Sequence, residues 1–424
     1  MVGAAMACAL GHEPNFAKKK ITLLESGPEK VFELTKTYKN RVSTINPASV
    51  ALLDSFGAWD KILQMRCQPV KRMQVWESCS DSLLTFNHPD LSLELAYVVE
   101  NDVLLSAITD SLKECPQVEV LYDTKVSNVD IPMLNDPSAK DSLLTISLNN
   151  GRILRTHLLI GADGSNSLVR KTCNFPTVQW EYDQAGVVAT LQLSGEAENT
   201  VAWQRFLPSG PIAMLPLSNS LSSMVWSTSP THAKKLLTMT KEEFIDAVNH
   251  AFWHDDKKNL IAQNMEKSLE KFLDKIVPGG TSMRQLPPTV IGVDEGSCAM
   301  FPLGLNLSSH YVRQRVALIG DAAHRVHPLA GQGVNLGFAD VTCLQSMLTK
   351  AMNEGADLGS LNILLAYETE RQRQIIPIVA AIDGLQKLYG TDWTPAVVLR
   401  SLGLQATNAA TFLKDKLIQK ASSS

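Results

Sequence analysis

Nothing in this chain is long and apolar enough to read as a membrane-spanning helix, because no run of about eighteen apolar residues occurs. No C-x-x-C pair occurs either. Seven cysteines, Cys8, Cys67, Cys79, Cys115, Cys173, Cys298 and Cys343, are scattered through 424 residues. An odd, dispersed set argues against a disulfide framework or a zinc site and for a reducing compartment. No histidine, cysteine or carboxylate cluster has metal-ligand spacing, so no metal is expected. The G-x-S-x-G elbow and the P-loop lysine are both absent. Positive charge is not in excess: the net charge of −4 offers no basic field for nucleic acid. There is no internal repeat and no long low-complexity linker. What remains is an ordinary globular composition, 45% apolar and 19% charged, with length for about two or three domain-sized cores.

Against these absences one tract is dense with special residues. Val316-Ala317-Leu318-Ile319-Gly320 reads as a buried strand. Asp321-Ala322-Ala323-His324 follows, then His327-Pro328-Leu329-Ala330-Gly331-Gln332-Gly333-Val334-Asn335-Leu336-Gly337-Phe338-Ala339-Asp340. The order is strand, acid at the strand tip, glycine-rich loop, helix start. Exposed N–H groups at such a helix start hold phosphate or another electron-rich group. His324 and His327 stand beside the loop and are candidate bases; a histidine in such a place more often holds structure by hydrogen bonds.

Two further tracts have related form. Gly3 leads a small-residue helix, Ala4 to Leu10, and Lys20 to Glu25 reads as a strand ending in an acid. The spacing of about twenty between Gly3 and Glu25 fits a dinucleotide-binding βαβ unit. Gly3 would be the third glycine of G-x-G-x-x-G, and Glu25 the acceptor for ribose hydroxyls. His157 to Arg170 is an apolar strand ending in Gly161-Ala162-Asp163-Gly164, with a helix beginning near Ser167. Asp-Gly alone would mark only a turn.

These three tracts, in this order, resemble the fingerprints of aromatic-ring flavin monooxygenases. The run from His327 to Asp340 is similar to the signature of the ubiquinone-biosynthesis hydroxylases. Asn40-Arg41-Val42-Ser43, Val201 to Pro211 and Gly403 to Asn408 agree with the mitochondrial type. The resemblance implies an α/β fold: a Rossmann-like FAD domain carrying an inserted antiparallel substrate sheet, with C-terminal helices. It implies FAD as cofactor, bound through Gly3, Glu25, Arg41, Asp163, Gly164, Gly320, Asp321, Gly331, Gly333, Val334 and Asn335. Pro328, Gly331, Gln332 and Gly333 would form the loop facing the reactive ring. The implied reaction is hydroxylation at ring carbon 5 of a polyprenylated hydroxybenzoate-type precursor of ubiquinone, using O₂ and a hydroperoxide at flavin carbon 4a. The implied electron donors are ferredoxin and its reductase. The implied setting is the coenzyme Q synthesis complex on the matrix side of the mitochondrial inner membrane. An oxygen-independent prenyl-lipid reductase on the same fold is the rival reading.

One departure from the family pattern is expected to matter. The first Rossmann strand and the first two glycines do not precede Gly3, so the chain reads as a shortened form. A second rival is therefore a non-catalytic shortened isoform that binds FAD poorly. Met1 to Leu10 carries neither the early charge of a secretory signal nor the arginines of a mitochondrial presequence.

The remaining sequence divides on these tracts. Residues 1–70, 96–176 and 300–360 are assigned to the FAD domain, 71–95 and 177–299 to the substrate domain, and 361–424 to a helical tail. A helix is expected from Pro47 to Phe56 and another from Lys241 to Trp253. Asp255–Lys275 and Pro395–Lys420 also read as helices, and Asp136–Asp141 as a loop. Trp203, Phe206 and Trp226 lie at strand spacing, where they are more often core than substrate contacts.

Overall fold

The computed structural model describes residues 1–78, 83–87, 90, 93–131, 143–195, 198–254, 285–327, 331 and 333–389. Asp136–Asp141, Asp255–Lys275 and Pro395–Lys420 lie outside the described residues.

Helix α1 (Val2–His12) buries Ala4 through Gly11 without a polar face. A helix that is apolar all round must be enclosed. Its small side chains let it approach its neighbours: Cys8 Sγ donates to Ile108 O at 3.1 Å, and Ala9 O accepts from Gln345 Nε2 at 3.0 Å. Gly3 is required by proximity, since a Cβ there would meet Ala162 Cβ at 3.0 Å.

Strand β1 (Ile21–Leu24) follows. Strand β2 (Val42–Ile45) leads into α2 (Pro47–Ser55), which Asn46 caps by accepting from Ser49 N–H. Pro47 suits the first turn because its missing N–H would have had no partner there. Leu52, Leu53 and Phe56 are buried beneath α2, each contributing about 1.5–3 kcal/mol. Strand β3 (Val118–Leu121) pairs in parallel with β1, from Ile21 against Val118 to Leu24 against Leu121. Strand β4 (Leu159–Gly161) precedes the short helix α3 (Leu168–Thr172).

The long strand β5 (Thr177–Leu193) and its antiparallel partner β6 (Ala299–Ser308) form a ribbon through the molecule. Beyond β5 the sheet continues through Leu221–Thr228, Ile212–Pro216, Val201–Phe206, Arg72–Glu77 and Leu83–Asn87. Among the described residues, its one parallel contact joins Val201–Phe206 to Arg72–Glu77. Phe175, Leu305 and Tyr182 pack with the α1 core, whereas Ala185, Val187, Trp203 and Trp226 form a second core with Phe244, Val248 and Phe252. The ribbon thus enters both cores, and its register shifts between Glu181 and Ala185, at the seam. The capping box of Thr240 and Glu243 starts the helix Lys241–Trp253 on this second core.

Strand β7 (Val316–Leu318) pairs in parallel with β4, Leu159 against Val316. His324–Arg325 then joins the free side of β6, through Asn306 and Leu307. Helix α4 (Gly333–Asn353) and helix α5 (Leu361–Tyr389) complete the described chain. Among the described residues no helix is long and apolar enough to cross a membrane.

Candidate active site at the strand tips

The strand tip after β7 is fixed from below. Gly320 has φ +60°, a left-handed conformation that glycine adopts without a steric cost. Its N–H donates to Asp340 Oδ2 at 2.7 Å. Asp340 is fully buried on α4 and also takes His324 Nε2 at 2.7 Å and Arg371 Nε at 2.7 Å. Arg371, buried on α5, donates further to Leu336 O and Gln374 Oε1. Burial pushes the Asp340 carboxyl up, but His324, Arg371 and the Gly320 N–H outweigh it and hold it below the usual carboxylate range. His324 is therefore bound into the support of the strand tip.

That tip presents Asp321. The residue keeps contact with solvent, yet the protein around it raises its carboxyl above the ordinary value, with His324 and Arg325 acting in the other direction. The amino end of α1 lies close by: Glu25 and Asp321 both act on its amine. Glu25, exposed at the tip of β1, accepts from Gly27 N–H at 2.8 Å. Gly3, Glu25, Gly320 and Asp321 are thus grouped around the start of α1. Arg41 is exposed just before β2, where its carbonyl accepts from Asn101 N–H.

In the Asp-Gly turn, Asp163 Oδ2 accepts from the N–H groups of Leu168 (2.7 Å) and Val169 (3.1 Å). It caps α3 together with Ser167, which accepts from Arg170 N–H. Gly164 has φ +80°. Arg170 reaches across to Ala322 O at 2.8 Å, tying this turn to the Asp321 tip. Beside it lies a polar cleft of about 400 Å³, lined by Ser165, Asn166, Arg170, Trp180, Asn306 and Arg325 among others.

Pro328 and Gln332 lie outside the described residues. Gly331 has φ +60° and faces Thr44, with Gly333 and Val334 opening α4. Asn335 fastens that opening: its Nδ2 donates to Thr44 O at 2.7 Å, and its Oδ1 accepts from Ser49 Oγ at 2.8 Å and Asn46 N–H at 3.1 Å. With its carboxamide so engaged, Asn335 offers a ligand its backbone rather than its side chain. His327 is 1% exposed, against Tyr182 and Gln184 at the seam of the ribbon. Trp203, Phe206 and Trp226 are buried in the sheet's cores.

The donor set suits a dinucleotide flavin. Two carboxylates could accept from sugar hydroxyls, and helix starts could supply N–H groups to phosphate and to an electron-rich ring. Among the described residues, no three histidines, cysteines or carboxylates converge as a metal site. Of the supports, Asp340 closes the signature run without a role being legible there, and Arg371 lies outside every motif. A further signal for Asp340 is an acid among apolar residues on the inner face of α4, where Leu336, Val341 and Leu344 are buried.

The profile of the FAD binding domain family matches residues 31–269 and 288–381. Over its whole length the chain is 51% identical to the zebrafish (Danio rerio) protein named ubiquinone biosynthesis monooxygenase COQ6, mitochondrial, covering 88% of that protein. It is also 51% identical to the Homo sapiens protein of the same name, covering 90% of it. The fold is similar to the crystal structure of pqsL, a probable FAD-dependent monooxygenase from Pseudomonas aeruginosa. That likeness has a TM-score of 0.68 and 20% identity, and covers 96% of this chain and 97% of that one.

Proposed function

The chain belongs to the FAD-binding family of aromatic-hydroxylase flavin monooxygenases and, within it, to the ubiquinone biosynthesis monooxygenases; from that premise we propose that it adds oxygen at ring carbon 5 of a polyprenylated hydroxybenzoate-type precursor of ubiquinone. The observation that carries the reading is 51% identity sustained over the entire chain. The same similarity supports a mitochondrial location. On this reading the enzyme works peripherally at the matrix side of the inner membrane, with a coenzyme Q synthesis complex, and takes electrons from ferredoxin and its reductase.

FAD, when bound, supplies the activation of O₂. The protein's tasks are binding, orientation and the exclusion of water. Glu25 and Asp321 would hold the sugar hydroxyls, and the start of α1 the pyrophosphate. Asp163 holds the start of α3 in place, and Arg170 ties that turn to the Asp321 tip. The turn at Gly331 and the first N–H groups of α4 would stabilise negative charge on the reactive ring. By the resemblance, Pro328, Gln332 and Gly333 would belong to that loop. On this reading the substrate ring would lie against the apolar side chains of the sheet.

Metabolite analysis of cells lacking this protein tests the reading. They should accumulate an intermediate without the carbon-5 oxygen. Normal ubiquinone levels, with no compensating hydroxylase, would contradict it. An oxygen-independent reductase would differ by showing no oxygen uptake coupled to product.

A further inference from the structure

His327 is a buried group that the account above leaves unused. Its Nε2 is 3.4 Å from Gln184 Oε1. An amide oxygen can only accept, so Nε2 carries the proton and Nδ1 is left with a lone pair. That Nδ1 is buried and has no hydrogen-bond partner. Buried polar atoms are nearly always paired, so a lone acceptor calls for a partner of another kind. Its place is suggestive. His327 directly precedes the glycine-rich loop and meets Tyr182 edge-on, with ring centroids 5.0 Å apart. Tyr182 and Gln184 fall in the interval of β5 where the ladder with β6 changes register, between the two cores. Tyr182 is already committed, its hydroxyl donating to Asp383 Oδ1 at 3.3 Å.

We propose that His327 Nδ1 accepts a hydrogen bond from the phenolic hydroxyl of the aromatic substrate, and so orients and activates the ring. This rests on the function proposed above. Accepting that bond raises electron density on the phenol oxygen and on the ring carbons beside it, which must attack an electrophilic oxygen. No proton need leave the substrate for this effect. Burial holds the imidazole down to about 4, so the ring remains a neutral acceptor throughout the physiological range.

Two isosteres separate this role from a packing role. Asparagine places an oxygen near the position of Nδ1, and glutamine places its amide nearer Nε2. The experiment measures calorimetric binding of a dimethylallyl-substituted para-hydroxybenzoate, and of its methyl ether, to flavin-loaded wild type, His327→Asn and His327→Gln. Wild type should prefer the phenol by about tenfold, the worth of one hydrogen bond to a buried acceptor. His327→Asn should keep most of that preference and His327→Gln should lose it. If His327→Gln keeps the preference, or His327→Asn loses it, the assignment falls. A variant that no longer holds flavin would mark His327 as a packing residue and also overturn it. The wild type gives a check that needs no variant: the ultraviolet band of the bound phenol should shift towards that of phenolate, and an unshifted band contradicts the proposal. If wild type binds neither compound, the substrate class itself is wrong, which is a distinct failure.

Discussion

The residue that organises this site closes the signature run, yet the run alone gives it no role. Asp340 gathers Gly320, His324 and Arg371, which lie 20, 16 and 31 positions away in sequence. Removing one partner of such a buried set leaves the others uncompensated, at a cost of about 3–5 kcal/mol. Asp340→Asn should therefore lower denaturant stability by about that amount and release flavin, because the Gly320 tip carries Asp321. Wild-type stability together with full flavin occupancy would show the network to be dispensable. Protonation offers a second handle. His327 is held down to about 4 by burial, and His232 is lowered by burial and then by Lys235. For a base with a depressed folded pKa, the unfolded chain takes up the proton first. The stability tied to the neutral ring is complete above the ordinary imidazole value of about 6.5 and is lost as pH falls towards 4. His327 alone should account for about 3 kcal/mol of that loss. Asp340 adds its loss only at the lower edge of the carboxylate range, and Asp321, raised by burial, acts in the opposite sense there. Denaturation midpoints measured across this range should fall steadily; a flat profile would mean that His327 is solvated.

At the scale of elements, much of the architecture was legible because local signals agreed with packing. Asn46-Pro47 announced α2, and the acids after β1 and β7 marked strand tips. The small residues of α1 marked close approach. Less legible were elements whose form depends on distant partners. Strand spacing at Trp203, Phe206 and Trp226 and the resemblance indicated an antiparallel sheet, but not that β5 begins at Thr177 and pairs with β6 through both cores. Asn335 shows the same limit. The resemblance implied cofactor contact for it, and its carboxamide joins α4 to β2 and α2. Asn335→Ala leaves buried partners unsatisfied, at about 1–3 kcal/mol each. The start of α4 should loosen and the flavin dissociation constant should rise by about tenfold or more. Unchanged flavin affinity in that variant would mean that Gly331 and the helix start are held by other contacts.

At the scale of the molecule, two cores are joined by one ribbon, and His327 packs where that ribbon changes register. On the proposed reading, the acceptors and helix starts grouped at the strand tips would hold FAD. Composition alone conveyed the absence of a basic field and of long apolar spans. The joint between the cores needed three dimensions, because His327, Tyr182 and Gln184 are brought together from positions more than 140 residues apart. The central claim is that this arrangement transfers one atom of O₂ to an aromatic ring. A single-turnover experiment tests it without depending on the natural electron donor. Flavin-loaded protein is reduced chemically in the absence of air, then mixed with a prenylated para-hydroxybenzoate and isotopically labelled O₂, and the product is read by mass spectrometry. The account predicts one labelled oxygen, at the ring carbon next to the phenol. A product without label, or one labelled only when the water is labelled, would contradict it.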